Sequence, residues 1–177
     1  MILHLTSEQM LERWRVHRGL YPLAGPEMVS ASLPDTLDAV LQAEIEAWYD
    51  GILATAPASK LAPAEIAGSI TLEATEPSGG HIFSLPEGVV RLVSVRLDGW
   101  DCDARIIADP CSAEARMQRH RFTRATASAP VAVLHPGGVV SLYPYVKSRR
   151  ALSVRVVGRT DSLYHFDDSL LPMPEEL

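Results

Sequence analysis

The stretch LPEGVVRLVSVRLDGW, Leu85 to Trp100, decides the fold. Between Val89 and Leu97 the apolar residues Val93, Val95 and Leu97 share one face opposite Ser94 and Arg96. This period of two predicts a half-buried antiparallel strand with those three residues in the core. Asp98-Gly99 is a turn signal, and Asp103 to Ala108 is expected to pair back across it. Upstream, Ser69 to Ala74 alternates as a short strand, Pro77-Ser78-Gly79-Gly80 has turn chemistry, and His81 to Leu85 reads as the return strand. Downstream, Asp109-Pro110 places proline at the first position of a short helix expected to run through about His120. Val131–Leu134 and Val139–Tyr143 flank His135-Pro136-Gly137-Gly138 as a hairpin, and Leu152, Val154 and Val156 form the apolar face of a last strand.

The front of the chain has the period of helices. Thr6 and Gln9 have capping-box spacing, with Leu5 and Met10 at the staple positions, and predict a helix over Ser7 to His17 that Gly19 ends. Two prolines and two glycines make a loop of 21–26. From Asp35 to Thr55, Leu37, Val40, Leu41, Ile45, Trp48, Ile52 and Leu53 recur every three or four residues, with Asp38, Gln42 and Glu46 on the other side; Pro57 stops the helix. Trp48 and Tyr49 can mark a partner surface, but aromatics on such a stripe more often fill a core. From Thr160 the chain is acidic and proline-bearing, and reads as an extended strap or a disordered tail. The expected fold is α+β: N-terminal helices, then a mostly antiparallel β-sheet or small sandwich with one short helix inserted after Ala108. The expected organisation is a single domain over 1–177, with a helical front (1–62), a β-rich core (63–159) and an acidic tail or strap (160–177).

Composition is that of an ordinary globular protein, 47% hydrophobic and 21% charged. The N-terminus lacks the basic region and cleavage site of a signal peptide, and no apolar run approaches a membrane span. The expectation is a soluble intracellular protein without membrane contact. Cys102 and Cys111 are too far apart for a zinc knuckle and read as two reduced thiols. The net charge of −6 conceals segregation: 4 Lys/Arg against 11 Asp/Glu over 1–85, 12 against 5 over 91–159, and five acids from Thr160 onward. Such regions can complement one another within a molecule or between copies.

No catalytic, cofactor-binding or metal-ligating site emerges. Gly79-Gly80 and Gly137-Gly138 lead into strands rather than helices, so they are turns and not phosphate loops. The six histidines, His4, His17, His81, His120, His135 and His165, are scattered in sequence. His165 beside Asp167 and Asp168 resembles a metal cluster only superficially, because a tail does not hold rigid geometry. The basic run Arg116, Arg119, Arg121 and Arg124, with Phe122 interleaved, is the candidate assembly surface. The same residues, or Lys147-Ser148-Arg149-Arg150, can meet phosphates, although an acidic chain argues against free DNA binding.

One resemblance sharpens this reading. ILATAPASKL closes the long helix. Leu85-Pro86, Arg91-Leu92-Val93-Ser94 and Trp100 mark the strand, and Gln118, Phe122-Thr123-Arg124, Thr126 and Pro130-Val131 follow, then SLYPY. In that order the phrases resemble small prophage-encoded structural proteins of the head-tail connector or adaptor kind, over roughly 35–145. The chain departs from them at Gly88-Val89, where the pattern often has an acid followed by an aromatic, and in its first 30 residues. The resemblance implies a non-enzymatic virion assembly subunit without cofactors. Its implied partners are copies of itself in a ring and portal or tail proteins, and its implied location is the bacterial host cytoplasm and then the virion. The alternatives are a nucleic-acid-binding accessory protein using 116–124 and, behind it, a small hydrolase whose triad is hidden by linear order.

Overall fold

A computed structural model of the chain describes residues 1–20, 34–75, 80–120, 122–148, 150–159 and 163–171. The protein is α+β, with helices at the front and a sheet-rich region after them. In chain order the elements are β1 Ile2–Thr6, α1 Ser7–His17, α2 Pro34–Thr55, β2 Ala64–Glu65, β3 Glu73–Thr75, β4 Gly80–Ser84, β5 Val89–Leu97, β6 Arg105–Ile107, α3 Ala113–Met117, β7 Val131–Leu134, β8 Val139–Tyr143, β9 Ala151–Gly158 and β10 Leu163–Asp167. They gather into two compact units, Met1–Ala62 with Arg159–Leu177, and Pro63–Gly158.

In the first unit α1 starts where the capping box closes. Thr6 Oγ1 accepts from the Gln9 backbone N–H at 3.3 Å, and Gln9 Oε1 accepts from that of Thr6 at 3.0 Å. α2 buries Leu41, Ile45, Tyr49 and Leu53, a narrower stripe than its period implies, since Leu37 and Val40 are exposed. Trp48 is half-buried, its ring against Trp14 and edge-on to Phe166. β1 and β10 form an antiparallel ribbon whose Leu3, Leu5, Tyr164 and Phe166 are buried. Hence Leu163–Asp167, expected within a strap or disordered tail, is a strand. Its five-residue alternation is masked in the sequence by acidic and proline neighbours, and its partner is more than 150 residues away. Arg15–Asp38 links α1 to α2, Arg18 at the end of α1 pairs with Glu44 of α2, and Arg159 grips Asp50 with two hydrogen bonds of 2.8 and 2.6 Å. All three pairs are solvent-exposed enough to contribute little stability.

The second unit is a small sandwich. One sheet has the order β2-β9-β5, the other β3-β4-β8-β7-β6, antiparallel except for the parallel pair β6–β7. Leu92, Val95, Leu97, Val154 and Val156 of the first meet Phe83, Ala132, Val140 and Leu142 of the second in one core with Trp100. The hairpin around Pro136 turns through Gly137 and Gly138, whose φ values of 79° and 76° suit glycine.

Four sequence expectations change here. Val93 is only half-buried and Leu92 takes its place, because the register passes from Leu92↔Val156 to Ser94↔Arg155 and leaves an extra residue on β5. This bulge lets Leu92 and Val95, an odd number apart, face the same core. Asp103–Ala108 meets β5 at Ala104, whose N–H donates to the Val95 carbonyl at 2.8 Å, but its central residues then form β6 beside β7 in the other sheet. Of Ser69–Ala74 only the end is strand, and the Pro77–Gly79 turn lies outside the described residues. The helix after Asp109-Pro110 begins later and ends earlier. Asp109 Oδ1 accepts from the Cys111 N–H, making a turn, and Ser112 Oγ caps α3 by accepting from Ala115 N–H at 3.2 Å.

Glu65 anchors the short strand β2. Its carboxylate accepts from Ser153 Oγ at 2.6 Å, from Val154 N–H at 2.6 Å and from Ala67 N–H at 3.1 Å. The Ser153 hydroxyl foremost, then these backbone donors, hold its pKa below the usual glutamate range. A lowered carboxylate pKa adds stability above the unfolded value of about 4.3, lost as pH falls through the folded value. Glu65→Gln is therefore expected to destabilise the protein at pH 7 in urea unfolding, with the gap from wild type closing below about pH 4. A gap independent of pH would show that the ionised carboxylate contributes nothing specific.

Candidate assembly surface at the α3 turn

The segment 112–126 is built on one buried amide. Ala115 sits in a second small core with Ile107, Val131, Val133 and Tyr143, which fixes α3 against the five-stranded sheet. After the helix, Gln118 is 5% exposed: its Oε1 accepts from Ala125 N–H at 2.8 Å and its Nε2 donates to the Glu114 carbonyl at 3.1 Å. Thr123 Oγ1 donates to the Met117 carbonyl at 2.8 Å, and Arg124 Nε donates to that of Gln118 at 3.2 Å. These bonds close a loop with Phe122 at 96% and Met117 at 49% exposure.

Of the four arginines singled out by sequence, Arg116 and Arg119 are exposed and have no carboxylate partner among the described residues. Arg124 is half-buried and serves the loop's own backbone, so it holds the surface in shape. Arg121 lies outside the described residues, as does Arg149 of the second basic group. Arg105, which sequence reading did not single out, pairs with Glu114 at 2.7 Å. Gln118, Phe122 and Met117 are the residues that make the surface what it is. The signal for Phe122 was an aromatic amid cations; nothing marked Gln118 as buried.

The histidines are less scattered than their order implies. His4 and His165 face each other across β1 and β10 with Nδ1 atoms 2.6 Å apart. Burial first, then the neighbouring His4, pushes His165 below the usual imidazole range. His81 is fully buried, His17 lies edge-on to Trp14, and His120 is exposed. His135 Nε2 and Ser141 Oγ are 2.9 Å apart, as a hydrolytic dyad requires, but no carboxylate orients the ring among the described residues. The nearby cavity of about 290 Å³ is bordered by Val139 and by neither of the two. Cys102 and Cys111 are free thiols. No helix among the described residues is long and apolar enough to cross a membrane. A comparison with protein-family models and with curated proteins finds no match.

Gln118→Ala leaves the Ala125 N–H without its acceptor and is expected to lower stability by about 1–3 kcal/mol. Arg116→Ala and Arg119→Ala are expected to stay within about 0.5 kcal/mol of wild type. Urea denaturation checks both, and equal effects would show that the loop is not organised by the amide.

Proposed function

We propose that the protein is a non-enzymatic virion assembly subunit of a phage or prophage, a head-tail connector or adaptor acting through protein–protein interfaces. It works as a homo-oligomeric ring, bound to portal or tail proteins, first in the host cytoplasm and then in the virion. The observation that carries this reading is the α3 turn: a phenylalanine 96% exposed, held on a hydrogen-bonded loop that follows the exposed Arg116 and Arg119 in the chain. Covering such a side chain is worth about 1.5–3 kcal/mol, so its presentation to solvent favours an interface. The charge distribution supports contacts between unlike faces. The first unit carries 13 Asp/Glu against 5 Lys/Arg and the second 9 against 11. A basic patch on one subunit meeting an acidic face on the next gives the head-to-tail contact that rings require. The order of sequence phrases from the long helix to SLYPY supports the same reading.

A nucleic-acid-binding accessory protein is the second reading, favoured by the same aromatic among cations, which suits base stacking and phosphate contact. One set of measurements separates the two. Native mass measurement and co-purification with the portal and tail proteins encoded in neighbouring reading frames are expected to show an oligomer or complex. Phe122→Ala with Arg119→Glu is expected to weaken it at least tenfold. A monomer at high concentration that captures none of those proteins overturns the assembly role. Binding of single-stranded DNA that weakens steeply with salt and is lost in the same variant transfers the function to nucleic acid.

A further inference from the structure

We propose that His4 and His165 form a two-imidazole site for a divalent transition-metal ion of the Cu²⁺ or Ni²⁺ class. The residues are direct partners in the antiparallel register of β1 and β10, with ring centroids 4.7 Å apart and planes at 67°. Their Nδ1 atoms approach to 2.6 Å as hydrogen-bond partners, one ring donating to the other, so two potential nitrogen ligands are already neighbours. Leu3, Leu5, Tyr164 and Phe166 turn to the core, which leaves the two imidazoles on the outer face, His4 exposed and His165 half-buried. Water or a further donor has access to the remaining coordination positions.

The backbone beneath the pair is held in place. His165 N–H donates to the Tyr49 hydroxyl at 3.1 Å, and the Tyr164 hydroxyl accepts from Gln42 Nε2 at 2.9 Å. Preorganised backbone of this kind lowers the cost of assembling a site. Metal–nitrogen bonds of about 2.0–2.1 Å put two ligand nitrogens about 2.9 Å apart at a right angle and about 3.4 Å apart at the tetrahedral angle. Starting from 2.6 Å, the smaller opening reaches the right angle, which is the cis arrangement of square-planar or octahedral ions. That is why Cu²⁺ and Ni²⁺ fit better than Zn²⁺.

Protons balance without loss. In the neutral pair one ring carries its hydrogen on the shared Nδ1; on binding, that hydrogen moves through solvent to Nε2 of the same ring. Both Nδ1 lone pairs then face the metal and both rings are Nε2–H tautomers. Asp167 is not counted as a ligand, since it is engaged by the Met1 amine and by Ser169 N–H. Among the described residues no set of three or more His, Cys, Asp or Glu groups surrounds a common point, so water completes the sphere. The bound ion clips the first strand to β10 and stabilises the ribbon by mass action.

The test uses the untagged full chain with Cu²⁺, Ni²⁺, Zn²⁺ and Mg²⁺ as chlorides, followed by calorimetry and by thermal unfolding. One Cu²⁺ per chain is expected, with a raised Tm, weaker binding of Ni²⁺, still weaker binding of Zn²⁺ and none of Mg²⁺. His4→Gln and His165→Gln are each expected to lower Cu²⁺ affinity at least tenfold, and His135→Gln to leave it unchanged. Paramagnetic resonance of the Cu²⁺ form is expected to show two imidazole nitrogens, a readout that does not depend on the variants folding. Cu²⁺ binding as tight in His165→Gln as in wild type, or one-nitrogen coupling, overturns the proposal. So does binding that is lost on acetylation of the N-terminal amine while His165→Gln retains it.

Discussion

The indole of Trp100, 3% exposed, donates its Nε1–H to the Pro144 carbonyl at 3.3 Å and so ties the chain after β5 in one sheet to the chain after β8 in the other. The turn before it fits only as glycine. Gly99 has φ of 99°, and a Cβ there would meet Val146 at 3.4 Å. The same segment is gripped twice more: Ser148 Oγ donates to Asp98 at 3.0 Å, and His81 Nε2 donates to the Val146 carbonyl at 2.8 Å with its ring stacked on Tyr145. His81 Nδ1 is buried without a partner among the described residues, a cost of about 1–3 kcal/mol that stacking and the Val146 bond offset. Because the chain crosses from sheet to sheet just after Trp100, the position of β6, and with it the base on which α3 rests, follows from this junction.

Elements written in local patterns are legible in the amino-acid order alone. The capping box at Thr6 starts a helix wherever Thr6 and Gln9 can reach each other, and four-residue spacing buries Leu41, Ile45, Tyr49 and Leu53 whatever they pack on. The hairpin around Pro136 likewise depends on its own residues. Elements chosen by a distant partner are not legible in this way. β10 is a strand because β1 lies beside it, and Val93 loses its core place because β9 imposes a bulge on β5. Three residues account for the later start of α3: Asp109 satisfies the Cys111 N–H in a turn, so Ser112 becomes the cap.

The same division governs the candidate surface. Charge is legible in a sequence, so the arginine cluster stands out, but whether an arginine is free is settled by neighbours. Arg124 spends its guanidinium on the Gln118 carbonyl, whereas Arg116 on α3 and Arg119 just after it are exposed. A glutamine in a polar stretch carries no mark of burial; its role arises only where the Ala125 N–H and the Glu114 carbonyl converge on it. The His4 and His165 pair is invisible in the same way, since nothing local to either residue points to the other.

Topology connects these observations. The second unit is inserted in the chain of the first, which leaves at Ala62 and returns at Arg159. Pairing of Ala64 with Val156 in β2 and β9 brings the two ends of the inserted unit close together. The sandwich thereby closes most of the loop separating β1 from β10, reducing the chain entropy that their pairing must overcome. Folding of the sandwich before the ribbon is the order this arrangement favours, because the sandwich's contacts lie within 63–158 whereas β1 must find residues more than 150 positions away. The helices of the first unit bury Trp14 and Tyr49 in a core that Tyr164 and Phe166 complete, so that core also waits for the ribbon. The strand holding His165 is thus the last piece of the first unit's core, and any interaction that clips it to β1 acts on the step with the greatest entropic cost.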